Sequence, residues 1–212
     1  DNIWNLAEKA ILKAAKSKNL NYRVEYGEAA FYGPKLDFMV KDALKREWQL
    51  GTIQVDYNLP ERFNLTFKNK NNEDERPVMI HRAPFGSLER FIAILIEHTA
   101  GVFPLWLATN QITLISVGEK HQNYTQKVLN LLEKAEIRAS TDFRNETVSK
   151  KILEAEMKKT HIMGIIGDKE IKNNEVTIRL RGGDLVGGIK IESLTKYISH
   201  KVNESQIINL NS

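Results

Sequence analysis

The sequence predicts an α/β protein in two parts, an antiparallel sheet with helices followed by a mixed or parallel sheet covered by helices. Leu36-Asp-Phe-Met-Val40 and Trp48-Gln-Leu-Gly-Thr-Ile-Gln-Val-Asp56 alternate apolar with polar residues, as neighbouring antiparallel strands do. Beyond Phe103-Pro-Leu-Trp-Leu-Ala-Thr-Asn110 the rhythm changes to strand, helix, strand, helix. With 212 residues, 42% of them hydrophobic and 27% charged, the chain can bury one large or two small cores. The boundary is placed near residues 105–110, which gives domains of 1–107 and 108–212.

Each element has its own warrant. Ile3, Leu6, Ala7, Ala10, Ile11 and Ala14 recur at helical spacing, with Asp1 available as a cap. Tyr22 to Tyr26 alternates like a strand, and Gly27 to Pro34 is punctuated as a loop. Lys68 to Arg76 is polar and reads as an exposed hairpin tip, after which Val78-Met-Ile80 resumes the sheet. A helix starts at Ser87. Its run Phe91-Ile-Ala-Ile-Leu-Ile96 is apolar around most of the circumference and is expected to be buried. Later strands are read at Ile112–Ser116, Ile137–Ala139, His161–Ile166 and Glu175–Arg181. Helices are read at Gln122–Ala135, Glu146–Lys159 and Glu192–Val202. No internal repeat or low-complexity segment occurs.

Composition excludes several classes. The longest apolar run is far short of the ~20 residues a membrane span needs. No secretory signal opens the sequence. The absence of cysteine rules out disulfides and thiolate metal sites within these residues and suits a cytoplasmic protein. Thirty-one basic against 27 acidic residues give +4 and a pI near 9.1, which is only weak evidence for a polyanionic partner. There is no initiator methionine, so the sequence reads as part of a longer polypeptide.

The most informative stretch is His81-Arg-Ala-Pro-Phe-Gly-Ser-Leu-Glu-Arg90, running into the apolar helix. Ser87 suits a helix N-cap. Arg90 falls in the first turn, where the helix dipole disfavours a cation unless an anion binds there. On spacing alone, an anion ligand and a structural ion pair stand level. His81, a single histidine at a strand end, is by itself more often structural. Gln49, Thr52 and Gln54, read alone, are better explained as ordinary polar positions of a half-exposed sheet. Strand parity puts Gln49 and Gly51 on one face and Gln54 on the other unless a bulge intervenes.

Gly-Ser-Leu-Glu-Arg90 followed by an apolar helix resembles motif 3 of the class II aminoacyl-tRNA synthetases. Gly27-Glu-Ala-Ala-Phe-Tyr-Gly-Pro-Lys35, Trp48 to Asp56 and Val78-Met-Ile-His-Arg-Ala83 resemble the threonine-specific branch, and the similarity runs through essentially the whole chain. The resemblance implies the carboxy-terminal part of an antiparallel catalytic domain, joined to an α/β anticodon-binding domain. It makes Arg90 the catalytic arginine on the ATP triphosphate, with Gln49 and Thr52 around the adenosine. It places Tyr32, Lys35, Gln54, Ala83 and Ser87 about the threonine pocket, and makes His81 one of three ligands of a threonine-selecting zinc. The implied zinc chemistry is sensible, because valine is isosteric with threonine and only a hydroxyl-directed ligand separates them. The other two zinc ligands are expected upstream of Asp1, so these residues alone are expected to hold no zinc. Pro84-Phe85 departs from the smaller aliphatic residues more usual before Gly-Ser, which bears on the shape of that turn.

For the second domain, Asp142-Phe-Arg-Asn-Glu146, Gly167-Asp-Lys-Glu170 and Val176-Thr-Ile-Arg-Leu-Arg181 resemble the anticodon-binding domain of the same class. By that resemblance Asn145, Glu170 and Arg179 read anticodon bases, a task suited to their donors and acceptors. Read alone, Glu170 and Arg179 are better explained as a surface ion pair. Lys150, Lys151, Lys158 and Lys159 either guide a phosphate backbone or form a solvated helix face. The implied partners are ATP with Mg2+, threonine, threonine tRNA and a second copy of the chain, with no membrane. These residues supply only motif 3 and anticodon recognition, so they are expected to be inactive alone. An RNA-binding accessory protein and a glycyl- or prolyl-type enzyme are the rivals, and Arg90, His81 and Gln49 together speak against the first.

Overall fold

The computed structural model describes residues 2–206, so the expected Asp1 cap lies outside them. The chain forms two compact units, the first ending at His98 and the second starting at Thr99. That division lies ahead of the boundary read from the sequence. Leu105 is 7% exposed and belongs to the core of the second unit. Arg138 donates from Nε to Ala108 O at 2.8 Å and from Nη2 to Trp106 O at 2.7 Å. His161 is bonded to Phe103 O, and Gln111 Nε2 donates to Leu105 O. The segment that breaks the sequence rhythm is thus stapled into the second unit.

The first unit opens with helix α1 (Asn2–Ser17), which buries Ala7 and Ala15. Strands β1 (Lys35–Lys41), β2 (Glu47–Asp56) and β5 (Met79–Ala83) form an antiparallel sheet in the order β1-β2-β5. Helix α2 (Asn58–Arg62) follows β2, and the expected exposed hairpin is β3 (Phe67–Lys68) with β4 (Asp74–Glu75). Helix α3 (Leu88–Thr99) ends the unit.

Two expectations fail here. Tyr22 to Tyr26 forms no strand, and all five residues are exposed, because alternation makes a strand only where a partner strand accepts it. Helix α3 has no fully buried residue. Leu88, Ile92 and Ile96, spaced four apart, are 58%, 49% and 47% exposed. Its periodicity describes an apolar surface that the described residues leave uncovered.

In the second unit, β6 (Ile112–Ser116), β7 (Ala139–Asp142), β8 (Ile162–Ile166), β9 (Glu175–Leu180) and β10 (Leu185–Lys190) build a five-stranded mixed sheet in the order β10-β9-β8-β6-β7. β6 runs parallel to β7 and β8, whereas β9 is antiparallel to both its neighbours. Helices α4 (Gln122–Lys134), α5 (Val148–Met157), α6 (Asp168–Asn173) and α7 (Ile191–Gln206) complete it. The main core joins Ile112, Leu114, Val128, Leu132, Ile162, Ile178, Leu194 and Ile198 between α4, α7 and one sheet face. Ile115, Ala155 and Met163 fill the opposite face under α5. Thr147 caps α5, its hydroxyl accepting from Lys150 N.

Candidate functional site

Strand register assembles the first site. Lys35 lies opposite Gln54, and Gln54 opposite His81. One rung along, Asp37 faces Thr52, and Thr52 faces Ala83. Cross-strand partners share a sheet face, so these residues form two polar rows across one surface. The loop before β1 adds Tyr32, whose hydroxyl donates to Gln54 Oε1 at 2.7 Å and whose ring meets His81 edge-on. Gly33 lets this loop cross β2, since a Cβ there would sit 1.7 Å from Val55 O.

The parity question for Gln49 is answered by a bulge. Register shifts between Phe38 and Met39, which puts Gln49 rather than Leu50 opposite Met39. Gln49 consequently joins the Thr52 and Gln54 face, where its Nε2 donates to Asp37 Oδ1 at 2.8 Å. Asp37 also pairs with Lys35 Nζ at 2.7 Å. That hydrogen bond outweighs burial and holds the Lys35 ammonium above its ordinary range. Thr52 Oγ1 is buried with no hydrogen-bond partner among the described residues, an orphan on the floor of the surface.

His81 Nε2 lies 2.7 Å from Asp56 Oδ2. Asp56 is fully buried, and its other oxygen accepts from Asn58 N and Leu59 N at the start of α2. Burial pushes the Asp56 carboxyl up, but the bonds from His81, Leu59 and Asn58 outweigh it and leave the group below its ordinary value. A carboxylate holding one imidazole nitrogen is the usual support of a metal-bound histidine. No set of three His, Cys, Asp or Glu side chains among the described residues could hold a metal ion. His81 could thus supply one metal ligand through its other ring nitrogen.

Arg90 reaches the site from α3. Gly86 makes the preceding turn, with φ +63° and a Cβ position 2.3 Å from Leu50 O, so only glycine fits against β2. Phe85 packs against Phe91 with ring centroids 4.7 Å apart. Ser87 Oγ accepts from Arg90 N and donates to Glu89 Oε2. The Arg90 side chain donates from Nη1 to Gln49 O at 3.1 Å and lies 5.7 Å from the centre of the Trp48 ring. No carboxylate among the described residues pairs with it, so the structural ion pair that spacing allowed is not formed. Asp37, Asp56 and Trp48 went unnoticed in the sequence. Only the same-face spacing of Lys35 and Asp37 hinted at any of them.

In the second unit, Val176 and Ile178 point into the main core, which turns Thr177 and Arg179 to the α5 face. Glu170 is nearly buried. It accepts from Gly167 N and from Thr177 Oγ1, at 2.9 and 2.8 Å. Burial raises its pKa, but these bonds outweigh that and hold it low. Arg179 has Glu156 as its nearest acidic neighbour, with Nε 3.9 Å from Oε1, so the simple Glu170–Arg179 pair is absent. Beside them an open recess of about 540 Å³ is lined by Leu153, Glu156, Met157, His161, Arg181 and Gly182. Buried Nε atoms of Arg179 and Arg181, and Glu156 Oε1, have no hydrogen-bond partner among the described residues. Asn145 is exposed in the bend after β7. Lys150 pairs with Glu146 at 2.6 Å. Lys151 corrects the phosphate-guiding expectation. It is 2% exposed, and its Nζ donates to Ser116 O and Asp142 O.

Comparison with known proteins bears on both surfaces. Residues 3–99 match the family model described as tRNA synthetase class II core domain (G, H, P, S and T). Residues 111–201 match the one described as anticodon binding domain. The threonine–tRNA ligase of Flavobacterium johnsoniae is 60% identical over 97% of this chain and 32% of its own length. The structure titled the RNA binding domain of threonyl-tRNA synthetase from Cryptosporidium parvum Iowa II superposes with a TM-score of 0.86 at 36% identity, covering 94% of this chain and 51% of that one. A putative threonyl-tRNA synthetase from Aeropyrum pernix gives 0.69 at 29% identity, covering 95% and 50%. In a core-domain part and an anticodon-binding part, the chain is similar to the class II aminoacyl-tRNA synthetases over nearly its whole length. Within that class its similarity is to the threonine–tRNA ligases, and it spans about a third of the length of such relatives.

Proposed function

We propose that these residues are the motif 3 end of the catalytic domain and the anticodon-reading domain of a threonine–tRNA ligase. The observation that carries the reading is the single sheet face bearing Lys35, Gln49, Thr52, Gln54 and His81, with Arg90 at its rim. In the reaction a threonine carboxylate oxygen attacks the α-phosphorus of ATP, and the bond to pyrophosphate breaks. A tRNA ribose hydroxyl then attacks the carbonyl carbon and AMP leaves. Arg90 binds the triphosphate and offsets its charge together with Mg2+. Gln49 and Thr52 line the adenosine. Tyr32, Lys35, Gln54, Ala83 and Ser87 surround the threonine. Zinc, held by His81 and by ligands elsewhere in the longer protein, supplies a Lewis acid that rewards the amine and hydroxyl of threonine. Asn145, Glu170 and Arg179 contact the anticodon. The enzyme works as a cytoplasmic homodimer. No helix among the described residues is long and apolar enough to cross a membrane.

The test is threonine-dependent ATP–pyrophosphate exchange by the full-length protein. Arg90→Ala should lower kcat/KM on the order of 100-fold, and His81→Ala should release zinc measured by metal analysis. The 212-residue segment alone should give no exchange. Wild-type exchange with proline or glycine in place of threonine would overturn the assignment.

A further inference from the structure

Trp48 carries a feature that the proposed chemistry does not use. Its indole has two guanidinium groups over it, those of Arg46 and Arg90, each 5.7 Å from the ring centre. The ring cannot turn freely, because Trp48 Nε1 donates to Asp42 Oδ2 at 2.9 Å. Asp42 is itself buried and fixed by Leu44 N and Arg46 N, both at 2.9 Å to Oδ1. Asp42 also pairs with Arg46 Nε, so one of the two guanidiniums over the ring is already compensated. Arg90 has no such partner among the described residues.

Pairing between β2 and β5 runs from Thr52 to Asp56 and stops there. Gln49 O, to which Arg90 donates, lies beyond the end of that ladder. One Arg90 N–H is spent on this carbonyl and the π face carries the charge. A cation in the first turn of a helix is opposed by the helix dipole, so something must hold it there before an anion arrives. An aromatic face does this without consuming a donor, since it attracts the cation through the ring quadrupole. A carboxylate in its place would compete with a phosphate.

We propose that Trp48 is the positioning residue for Arg90, an indole shelf locked by Asp42 that presents the remaining guanidinium N–H groups to a nucleotide phosphate. The proposal rests on the reading of Arg90 as a triphosphate ligand. Cation–π contacts contribute roughly 0.5–2 kcal/mol, which converts to about 2- to 30-fold in affinity.

The experiment uses the full-length protein and measures Kd for ATP·Mg2+ and, separately, for adenosine, which lacks the phosphates. Trp48→Leu should weaken ATP about tenfold and leave adenosine within twofold, and Trp48→Phe should keep most of the ATP affinity. Arg90→Ala should weaken ATP at least as much as Trp48→Leu, and the two changes combined should add nothing beyond Arg90→Ala. Should Trp48→Leu fail to fold, Trp48→Met, which likewise removes the aromatic face, gives the same comparison. Equal losses for ATP and adenosine would make Trp48 a packing residue only and overturn the inference. So would ATP affinity that falls in Arg90→Ala yet is unchanged in Trp48→Leu. Unchanged ATP affinity in Arg90→Ala would instead overturn the underlying reading of Arg90.

Discussion

At the scale of single residues, buried carboxylates organise the first unit. Asp42 accepts from Leu44 N, Arg46 N, Arg46 Nε and Trp48 Nε1. Its carboxyl falls from 3.8 to about 2, chiefly through the Trp48 indole N–H, with the Arg46 bonds overcoming the penalty of burial. A folded-state pKa below the unfolded one gives stability that is present above pH ~4 and lost as pH falls toward about 2. Thermal melts from pH 5 to pH 2 should therefore show Asp42→Asn less stable than wild type at the upper end, with the gap closing at the lower. A gap independent of pH would place the effect in shape and not in charge. None of this was legible beforehand, and neither was Asp56. Alternation indicates which residues share a face, but Asp56 meets His81 across 25 positions of sequence. Arg90 was half legible. Spacing raised the question of its counter-group, and geometry supplied an indole and a carbonyl.

At the scale of elements, the sequence was most informative where one period runs long enough to register. β1, β2, β6, β8, α1 and α4 fall close to where the pattern put them. β10 was missed because Gly187 and Gly188 interrupt its apolar residues, and α2 and α6 are too short to show a helical period. β7 was read slightly early. Ile137 is a buried apolar residue just before the strand, and β7 itself, Ala-Ser-Thr-Asp, is polar. Among the helices, α5 owes its start to Thr147, whose hydroxyl meets Lys150 N at 3.3 Å. Thr147→Ala should destabilise the second unit by about 1 kcal/mol, read from chemical denaturation of residues 99–212. A change below about 0.3 kcal/mol would mean that water replaces the cap fully.

At the scale of the whole molecule, the two units are unequal in kind. The second closes a core of fully buried residues, among them Ile112, Leu114, Val128 and Ile178. The first leaves Phe31, Leu44, Phe63 and Ile80 64–84% exposed. Residues 99–212 should consequently fold alone with a cooperative melt. Residues 108–212 should be less stable by about 3–5 kcal/mol, from the lost burial of Leu105 and the lost acceptors of Arg138, Gln111 and His161. Equal stability of the two polypeptides would show that 99–107 merely decorates the unit.

The bulge in β2 makes the site depend on counting more than on chemistry. Many substitutions at Leu50 would keep an apolar residue there and leave the arithmetic of the strand untouched. Gain of one residue in β1 between Phe38 and Met39, opposite Leu50, would let β1 and β2 pair without interruption, giving a sheet at least as regular. Gln49 would then change sides, and the register that brings it to Asp37 would be gone. The candidate face is thus more vulnerable to an added codon than to most altered ones.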